Sequence, residues 1–168
     1  MNTVLRYPGS KWRIADQLVS NIPEHKSYLE PYFGSGAVLF NKPPSPIETI
    51  NDLDDDVINL FQCIRDHSQQ LAAMIATTPY SRKVYDSQFS IVSKDPVDKA
   101  CAFLIKCWQG YGFKTSGIKT GWKRDKTGRE RAYNLSNWYH LPEWIEEIAE
   151  RLRNIQIEHK PALDLIRE

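Results

Sequence analysis

One stretch decides the fold class of this 168-residue chain: Ser27-Tyr28-Leu29-Glu30-Pro31-Tyr32-Phe33-Gly34-Ser35-Gly36. Its first four residues are predicted to form a strand, and residues 37–40, after the glycine loop, to open a helix that Pro43 ends. Residues 47–50 alternate as a second strand, and a further helix begins near Asp54. The apolar face of that helix consists of Val57, Leu60, Phe61 and Ile64. Strand, loop, helix, strand and helix in this order are typical of the opening of a parallel α/β sheet.

The rest of the chain is predicted to divide into a helical middle and a short return to the sheet. Residues 1–66 form the α/β part, residues 67–153 a mainly helical segment, and residues 154–168 bring back a strand pattern. Within the helical segment Asp95-Pro96 is a helix start signal, and Pro142 is predicted to open a strongly amphipathic helix. The tryptophans expected in the core rather than in contact with a ligand are Trp138 and Trp144.

Composition argues against several classes of protein. The chain has 22 Lys+Arg and 21 Asp+Glu, so its net charge of +1 removes the simple electrostatic case for a nucleic-acid binder but leaves a local one. Three cysteines without a Cys-x-x-Cys pair and four histidines without metal-ligand spacing disfavour a disulfide framework and a metal site. The sequence contains neither a membrane-span pattern nor a signal-peptide core, so a cytoplasmic protein is expected.

The glycine loop has the features of a nucleotide-binding turn. Gly34 and Gly36 let the backbone pass close to a bound nucleotide, and Asp52, at the end of the next strand, can accept hydrogen bonds from both hydroxyls of a ribose. Leu39 stands where the dinucleotide fingerprint needs a third glycine, which disfavours NAD and FAD, and no Gly-Lys-Ser/Thr is present for a P-loop. The alternative is an ordinary glycine turn followed by a capping aspartate.

A polar, aromatic segment precedes the first strand: Leu5-Arg6-Tyr7-Pro8-Gly9-Ser10-Lys11. Tyr7 can offer the face of its ring to a sulfonium, and Lys11 a cation to a carboxylate. The alternative is a mobile N-terminus with a turn. An amphipathic helix is predicted to follow, with Ile14, Leu18 and Ile22 on its apolar face.

A long basic loop is predicted at residues 110–131. Its many lysines and arginines stand against only Asp125 and Glu130, and Tyr111, Phe113 and Trp122 are interleaved with them. This composition suits phosphate contacts together with stacking or wedging on DNA. The alternative is a solvated, flexible surface loop.

Taken together, three segments resemble the Dam-like (D12 class) DNA adenine-N6 methyltransferases: Arg-Tyr-Pro-Gly-Ser-Lys at 6–11, Glu-Pro-Tyr-Phe-Gly-Ser-Gly-Ala-Val-Leu-Phe at 30–40, and Ile-Asn-Asp-Leu-Asp at 50–54. The resemblance extends along the whole chain, and residues 121–130 and 141–145 are similar to the phage-type branch. It implies a Rossmann-like S-adenosylmethionine-dependent methyltransferase fold with a mainly helical target-recognition insert. The implied reaction transfers methyl to adenine N6 in double-stranded DNA, with base flipping.

The resemblance also implies roles for particular residues. Tyr7 and Lys11 would contact the methionyl end of S-adenosylmethionine, and Asp52 would hold its ribose. The floor of the cofactor site would consist of Phe33, Gly34, Ser35 and Gly36. The basic loop corresponds in position to the recognition insert of the family, which favours DNA contacts by Tyr111, Lys114, Lys119, Lys123, Arg124, Lys126, Arg129 and Arg131. No metal is implied.

Two departures from the family pattern stand out. Where members carry a carboxylate after the last strand pattern, this chain has His159-Lys160-Pro161-Ala162. The catalytic tetrapeptide Asp-Pro-Pro-Tyr, whose oxygen acceptors draw on the amino hydrogens of adenine, is absent. We therefore expect a C-terminally incomplete methyltransferase fold, inactive alone, with no catalytic residue in this chain and a complementing chain that carries the tetrapeptide. The alternatives are a non-catalytic DNA-binding module derived from such an enzyme and an RNA adenine methyltransferase.

Overall fold

A computed structural model describes residues 1–90, 92–112, 117–124 and 135–168. Over these residues the strands are β1 (Ser27–Glu30), β2 (Ile47–Asn51) and β3 (Gln156–Glu158). The helices are α1 (Ala15–Ser20), α2 (Asp55–Thr77), α3 (Arg82–Ser87), α4 (Pro96–Gln109), α5 (Leu135–Leu152) and α6 (Ala162–Arg167), and a 3-10 turn (Trp12–Ile14) precedes α1. The chain is therefore a mixed α/β protein.

The three strands form a parallel sheet in the order β1-β2-β3. The first strand coincides with the predicted one, and the second extends one residue beyond the prediction. Asn51, at the end of the central strand, is fully buried. Its side-chain amide donates to the carbonyls of Pro31 and Lys160, and its oxygen accepts from the Lys160 N–H, each at 3.0 Å. One side chain thus holds together the segments that follow all three strands.

The long helix α2 forms the centre of the helical packing. Asp54 caps it, since its carboxylate accepts the Asp56 N–H at 3.0 Å. The predicted apolar face, from Val57 to Ile64, is buried, and the helix packs against α4 and α5. Its backbone leaves helical geometry at His67, next to the predicted boundary at residue 66, and then continues. The three-part division of the chain itself stays a prediction.

Two helix predictions need correction. Residues 37–40 form consecutive turns, in which the Phe40 N–H donates to the Gly36 carbonyl and the Lys42 N–H to the Val38 carbonyl, each at 3.0 Å. The turns do not continue into a longer helix because Pro43 and Pro44 lack the N–H groups that it would need. Pro142 lies inside α5 instead of opening it. Trp138, at 1% exposed, and Leu141, fully buried, pack into the core on that preceding turn, and this packing offsets the hydrogen bond that the proline removes.

The N-terminal helix also differs from its amphipathic pattern. The 3-10 turn ends where α1 begins, and the buried side chain of α1 is that of Ala15. Ile14 and Leu18, predicted on its apolar face, are 44% and 37% exposed. The described helices include none that is both long enough and apolar enough to span a membrane.

A buried ion cluster fastens the segment after the glycine loop to the sheet and to α5. Glu48 of β2 accepts from Lys42 at 2.6 Å and from Arg151 of α5 at 2.5 Å. Burial acts to raise the pKa of Glu48, but the hydrogen bonds from Arg151 and Lys42 outweigh it, and the pKa lies below its ordinary value. Because the side chains of β2 alternate between the two faces of the sheet, the charged Glu48 is buried and Ile47 is half exposed. The positive charges of Lys42 and Arg151 compensate the buried negative charge of Glu48.

Candidate functional site

Two loops meet at the carboxyl ends of β1 and β2, and Asp52 joins them. Its Oδ2 accepts the Gly34 N–H at 2.7 Å, and its Oδ1 accepts the Asp54 N–H at 3.0 Å. The Phe33 N–H donates to the Asn51 carbonyl at 2.9 Å, which adds a second link between the same loops. Parallel α/β sheets bind ligands outside the carboxyl ends of their strands. The predicted glycine loop and the predicted ribose-binding carboxylate therefore share one site.

The N-terminal segment closes this site from another side. Tyr7 donates its hydroxyl to Asp54 Oδ2 at 2.8 Å, across 47 residues of sequence, and Ser10 and Ser35 share a hydrogen bond of 2.8 Å. Burial, together with the hydrogen bond to Asp54, raises the pKa of Tyr7 well above its usual range. The hydroxyl therefore stays protonated, and Tyr7 is positioned beside the glycine loop.

Two glycines of the loop have positive φ, and each lies against an aromatic ring. A Cβ at Gly34 (φ +52°) would lie 3.4 Å from the ring of Tyr7. A Cβ at Gly36 (φ +68°) would lie 2.3 Å from Phe40 and 2.5 Å from Phe33, closer than any side chain tolerates. The glycines thus allow the loop to pass between Tyr7 on one side and the core on the other.

Two other predicted cofactor residues lie differently from what their roles suggest. The ammonium of Lys11 donates to the Gly9 carbonyl at 2.5 Å, at the surface. Phe33 is 2% exposed, and its ring packs in the core at 4.7 Å from Phe61 and 5.7 Å from Phe40, between centroids. The ring therefore supports the loop from beneath. Their roles toward a cofactor stay predictions.

Two acidic residues of the site were not singled out from the sequence. Asp54 was expected only to begin a helix, yet it also binds Tyr7. Glu30, the last residue of β1, accepts the Tyr28 hydroxyl at 3.0 Å and the Leu39 N–H at 3.1 Å. Burial raises the pKa of Glu30 to about 7, against the effect of these two hydrogen bonds. Two sequence signals mark them: Glu30 ends a strand and Asp54 directly precedes a helix, and both lie in the segments 30–40 and 50–54 that resemble the family.

The described part of the basic loop is closed at its base. An antiparallel bridge joins Gly110 to Trp122, and the flanking N–H groups of Tyr111 and Lys123 donate to Gly121 and Gln109 at 2.8 Å each. Two tyrosines anchor this base from outside the loop. Tyr80 donates to the Lys123 carbonyl at 3.0 Å and Tyr85 to the Thr120 carbonyl at 2.8 Å.

The predicted DNA contacts in this loop differ in their accessibility. Tyr111, Lys119 and Arg124 are exposed, and Lys119 pairs with Asp86 at 2.8 Å. Lys123 is only 4% exposed, with its ammonium 5.6 Å from the ring centroid of Tyr111. The remaining predicted contacts lie outside the described residues: Lys114, Lys126, Arg129 and Arg131. Among the residues that the structure describes, no group of three metal-ligating side chains is found.

Comparison with known proteins gives consistent matches. The family model for the D12 class N6 adenine-specific DNA methyltransferases matches residues 7–166. A DNA N-6-adenine-methyltransferase of Escherichia phage P1 is 23% identical over 126 residues, which are 64% of this chain and 15% of that protein. A DNA adenine methylase of Haemophilus influenzae is 31% identical over 111 residues, 60% of this chain and 37% of that protein. The chain thus spans well under half the length of these curated relatives. Because the family model covers nearly all of its residues, the chain belongs to the D12 class N6 adenine-specific DNA methyltransferases.

Proposed function

We propose that this chain binds S-adenosylmethionine and double-stranded DNA, and that it takes part in methyl transfer to adenine N6 in the cytoplasm. Its strands β1 to β3 would belong to a Rossmann-like methyltransferase sheet. The observation that carries the proposal is the junction of Tyr7, Gly34 and Asp52 at the carboxyl ends of β1 and β2, in a chain of this family.

The side chains of this junction suit the polar groups of the cofactor. Each oxygen of Asp52 accepts one backbone N–H and retains a lone pair for a ribose hydroxyl. Tyr7 presents an aromatic ring beside Gly34, and aromatic rings attract a sulfonium. Lys11 is an exposed cation that can exchange the Gly9 carbonyl for a carboxylate. The floor would be formed by the backbone of residues 33–36. When bound, the cofactor supplies an electrophilic methyl group.

The base of the basic loop supports the DNA-binding part of the proposal. The bridge at Gly110 and Trp122 fixes where the loop leaves α4, and Tyr111 stands exposed beside it. Exposed cations such as Lys119 and Arg124 can contact phosphates, and an exposed tyrosine can stack on a base. We assign no residue of this chain to the chemical step, because its sequence lacks the Asp-Pro-Pro-Tyr acceptors.

Calorimetric titration of the chain with S-adenosylmethionine tests the proposal. The change is Asp52→Ala, with Asp55→Ala as the matched control, since Asp55 is an exposed acid three residues away. Loss of charge-assisted hydrogen bonds to the ribose should weaken binding by about 1.5–3 kcal/mol in Asp52→Ala alone. Asp52→Asn removes the negative charge but retains one oxygen that can accept a backbone N–H. It therefore distinguishes the effect of the charge on cofactor binding from the effect of Asp52 on the structure of the loop.

Folding of each variant is checked by circular dichroism and urea unfolding. Equal affinity of folded Asp52→Ala and of the control would overturn the assignment of Asp52. An absence of cofactor binding by the unmodified chain would favour the non-catalytic DNA-binding module.

A further inference from the structure

A histidine and a serine meet at the amino ends of β1 and β2, at the end of the sheet opposite to the candidate cofactor site. The parallel pairing aligns Ser27 with Ile47, so the residues two positions earlier, His25 and Ser45, lie side by side. The His25 Nε2 and the Ser45 Oγ are 2.7 Å apart. A hydroxyl and an imidazole at this distance can exchange a proton, which is the arrangement of a serine nucleophile with its base.

The hydrogen bonds of the His25 ring assign its tautomer. Its Nδ1 lies 2.7 Å from the Pro23 carbonyl, and because a carbonyl only accepts, Nδ1 carries a proton. In the neutral ring Nε2 is then an acceptor, so the Ser45 hydroxyl donates to it. The ring also packs against Tyr28, at 5.7 Å between centroids. The Pro23 carbonyl thus orients His25 in the way that the aspartate of a Ser-His-Asp triad orients its histidine.

Ser45 itself is held in place by its neighbours. Pro44 and Pro46 flank it, and a proline restricts both its own φ and the residue before it. The Ser45 N–H donates to Glu48 Oε1 at 3.0 Å. The Lys42 ammonium, which pairs with Glu48 at 2.6 Å, donates to Ser45 Oγ at 2.7 Å. A cation beside this oxygen favours the negative charge that develops on it when the hydroxyl loses its proton.

A cavity of about 400 Å³ has this pair in its wall. The volume is within the range of roughly 300–1,000 Å³ that is typical of small-molecule sites. Its polar part consists of Ser45, His25 and Lys42, and the exposed Glu24 also lines it. Its remaining described lining residues are apolar: Val19, Ile22, Pro23, Pro43 and Pro44. A short acyl chain therefore suits the apolar wall while its carbonyl carbon approaches the Ser45 hydroxyl.

We propose that Ser45 is an acylation site that reacts with carboxylic esters of small apolar acids. His25 Nε2 takes the proton of the hydroxyl while Oγ bonds to the ester carbonyl carbon. The bond between that carbon and the leaving oxygen then breaks, and the leaving alcohol takes the proton from His25. The products are an acyl-serine and a free alcohol, so no further reactant is needed. Because the site lies at the other end of the sheet from the candidate cofactor site, this inference does not rest on the proposed function.

Reaction of the chain with p-nitrophenyl butyrate tests the proposal. Its butyryl group is a short apolar acyl chain, and release of p-nitrophenol is followed by absorbance. After acid quenching, peptide mass spectrometry should find the butyryl group on Ser45, attached roughly 10²-fold faster than on Ser87. Ser87 is the reference within the same sample, since it is exposed and its hydroxyl donates to the Val84 carbonyl at 2.8 Å.

Replacement of the base distinguishes a chemical role of His25 from a structural one. His25→Gln retains an acceptor for the Ser45 hydroxyl but cannot take its proton, so it should slow acylation of Ser45 by roughly 10²–10⁴-fold. His140→Gln is the matched control, since His140 is exposed on α5 and lies 3.2 Å from Glu143. The control should be acylated as the unmodified chain is, and Ser45→Ala should lose the fast release of p-nitrophenol.

Two outcomes would overturn the inference. The first is acylation of Ser45 no faster than that of Ser87 in the unmodified chain, a measurement that needs no variant to fold. The second is an equal rate in His25→Gln and the unmodified chain, with circular dichroism showing both folded. The pair would then be a structural hydrogen bond between the segments that lead into β1 and β2. Binding of S-adenosylmethionine and of DNA is measured separately, so a failure of the proposed function leaves this result unaffected.

Discussion

Glu30 makes stability depend on pH. Burial raises its pKa from an ordinary 4.5 to about 7, so between these values the folded chain holds a proton that the unfolded chain releases. The free energy of unfolding therefore falls as pH rises through this range. The contribution is fully present below about pH 4.5 and is lost above about pH 7, and a pKa difference of this size corresponds to about 3 kcal/mol.

Replacement by glutamine should remove this dependence. Glu30→Gln retains an acceptor for the Tyr28 hydroxyl and the Leu39 N–H but does not ionise. We expect the difference in free energy of unfolding between the original chain and the variant to change by about 3 kcal/mol between pH 5 and pH 8, measured with urea. Glu24→Gln, at an exposed glutamate, is the control. A difference that is constant over this range would contradict the assignment.

Among the glycines that the structure describes, Gly36 is the one whose Cβ would meet the closest contacts. In Gly36→Ala the new Cβ would meet the rings of Phe40 and Phe33 at 2.3 and 2.5 Å, at a φ of +68°. Overpacking and the left-handed backbone together should lower the free energy of unfolding by about 2–4 kcal/mol. Gly112→Ala has a similar φ of +60°, and within the described residues no atom lies within 4 Å of its Cβ, so it should show only the backbone cost, of about 1 kcal/mol. Equal losses in urea unfolding would show that Gly36 is not tightly packed.

At the scale of an element, the basic loop combines exposed and buried cations. Ion pairs at the protein surface contribute little to stability, so Lys119 can leave its pair with Asp86 and bind a phosphate instead. The double variant Lys119→Ala, Arg124→Ala should weaken binding to any duplex and flatten its salt dependence by about 0.9 for each phosphate that is no longer neutralised. The measurement is a filter-binding or anisotropy titration at several salt concentrations.

Two single variants complete that series. Lys123→Ala should lower stability instead of the salt slope, because this lysine is buried against Tyr111. Lys94→Ala removes an exposed charge near the start of α4 and should leave both quantities unchanged. If the double variant has the same salt slope as the original chain, Lys119 and Arg124 do not neutralise phosphates.

At the scale of the whole molecule, we predict no methyl transfer by the 168-residue chain. The amino nitrogen of adenine is a poor nucleophile, because its lone pair is delocalised into the ring. Loss of even one preorganised group typically costs about 10²–10³ in rate, and the chain contains no Asp-Pro-Pro-Tyr. Incubation with labelled S-adenosylmethionine and mixed-sequence duplex DNA should give no label above background.

The same sample provides the control for that experiment. Calorimetry on this sample checks that the protein binds the cofactor. Addition of a polypeptide that carries the tetrapeptide should then give labelling. Robust labelling by the chain alone would mean that other residues perform the chemical step.

Local sequence determined most of the secondary structure. The strand at residues 27–30, the cap at Asp95 and the buried face of α2 follow from alternation, capping chemistry and helical periodicity, which depend only on neighbours in the chain. Family membership also followed from short segments. Local patterns failed at residues 37–40, which two prolines follow closely, and at Pro142, where the buried Trp138 and Leu141 extend α5 to the N-terminal side of the proline.

The site itself was decided by tertiary structure. The hydrogen bond from Tyr7 to Asp54 and the burial of Lys123 join parts of the chain that no periodicity relates. Hydrophobic periodicity indicates which face of a helix or strand is buried, but it does not indicate which side chains from distant parts of the sequence pack against that face. That choice depends on how helices and sheet pack. The sequence therefore indicated candidate residues for a cofactor site, whose roles stay predictions, while only the packed structure showed which of them touch.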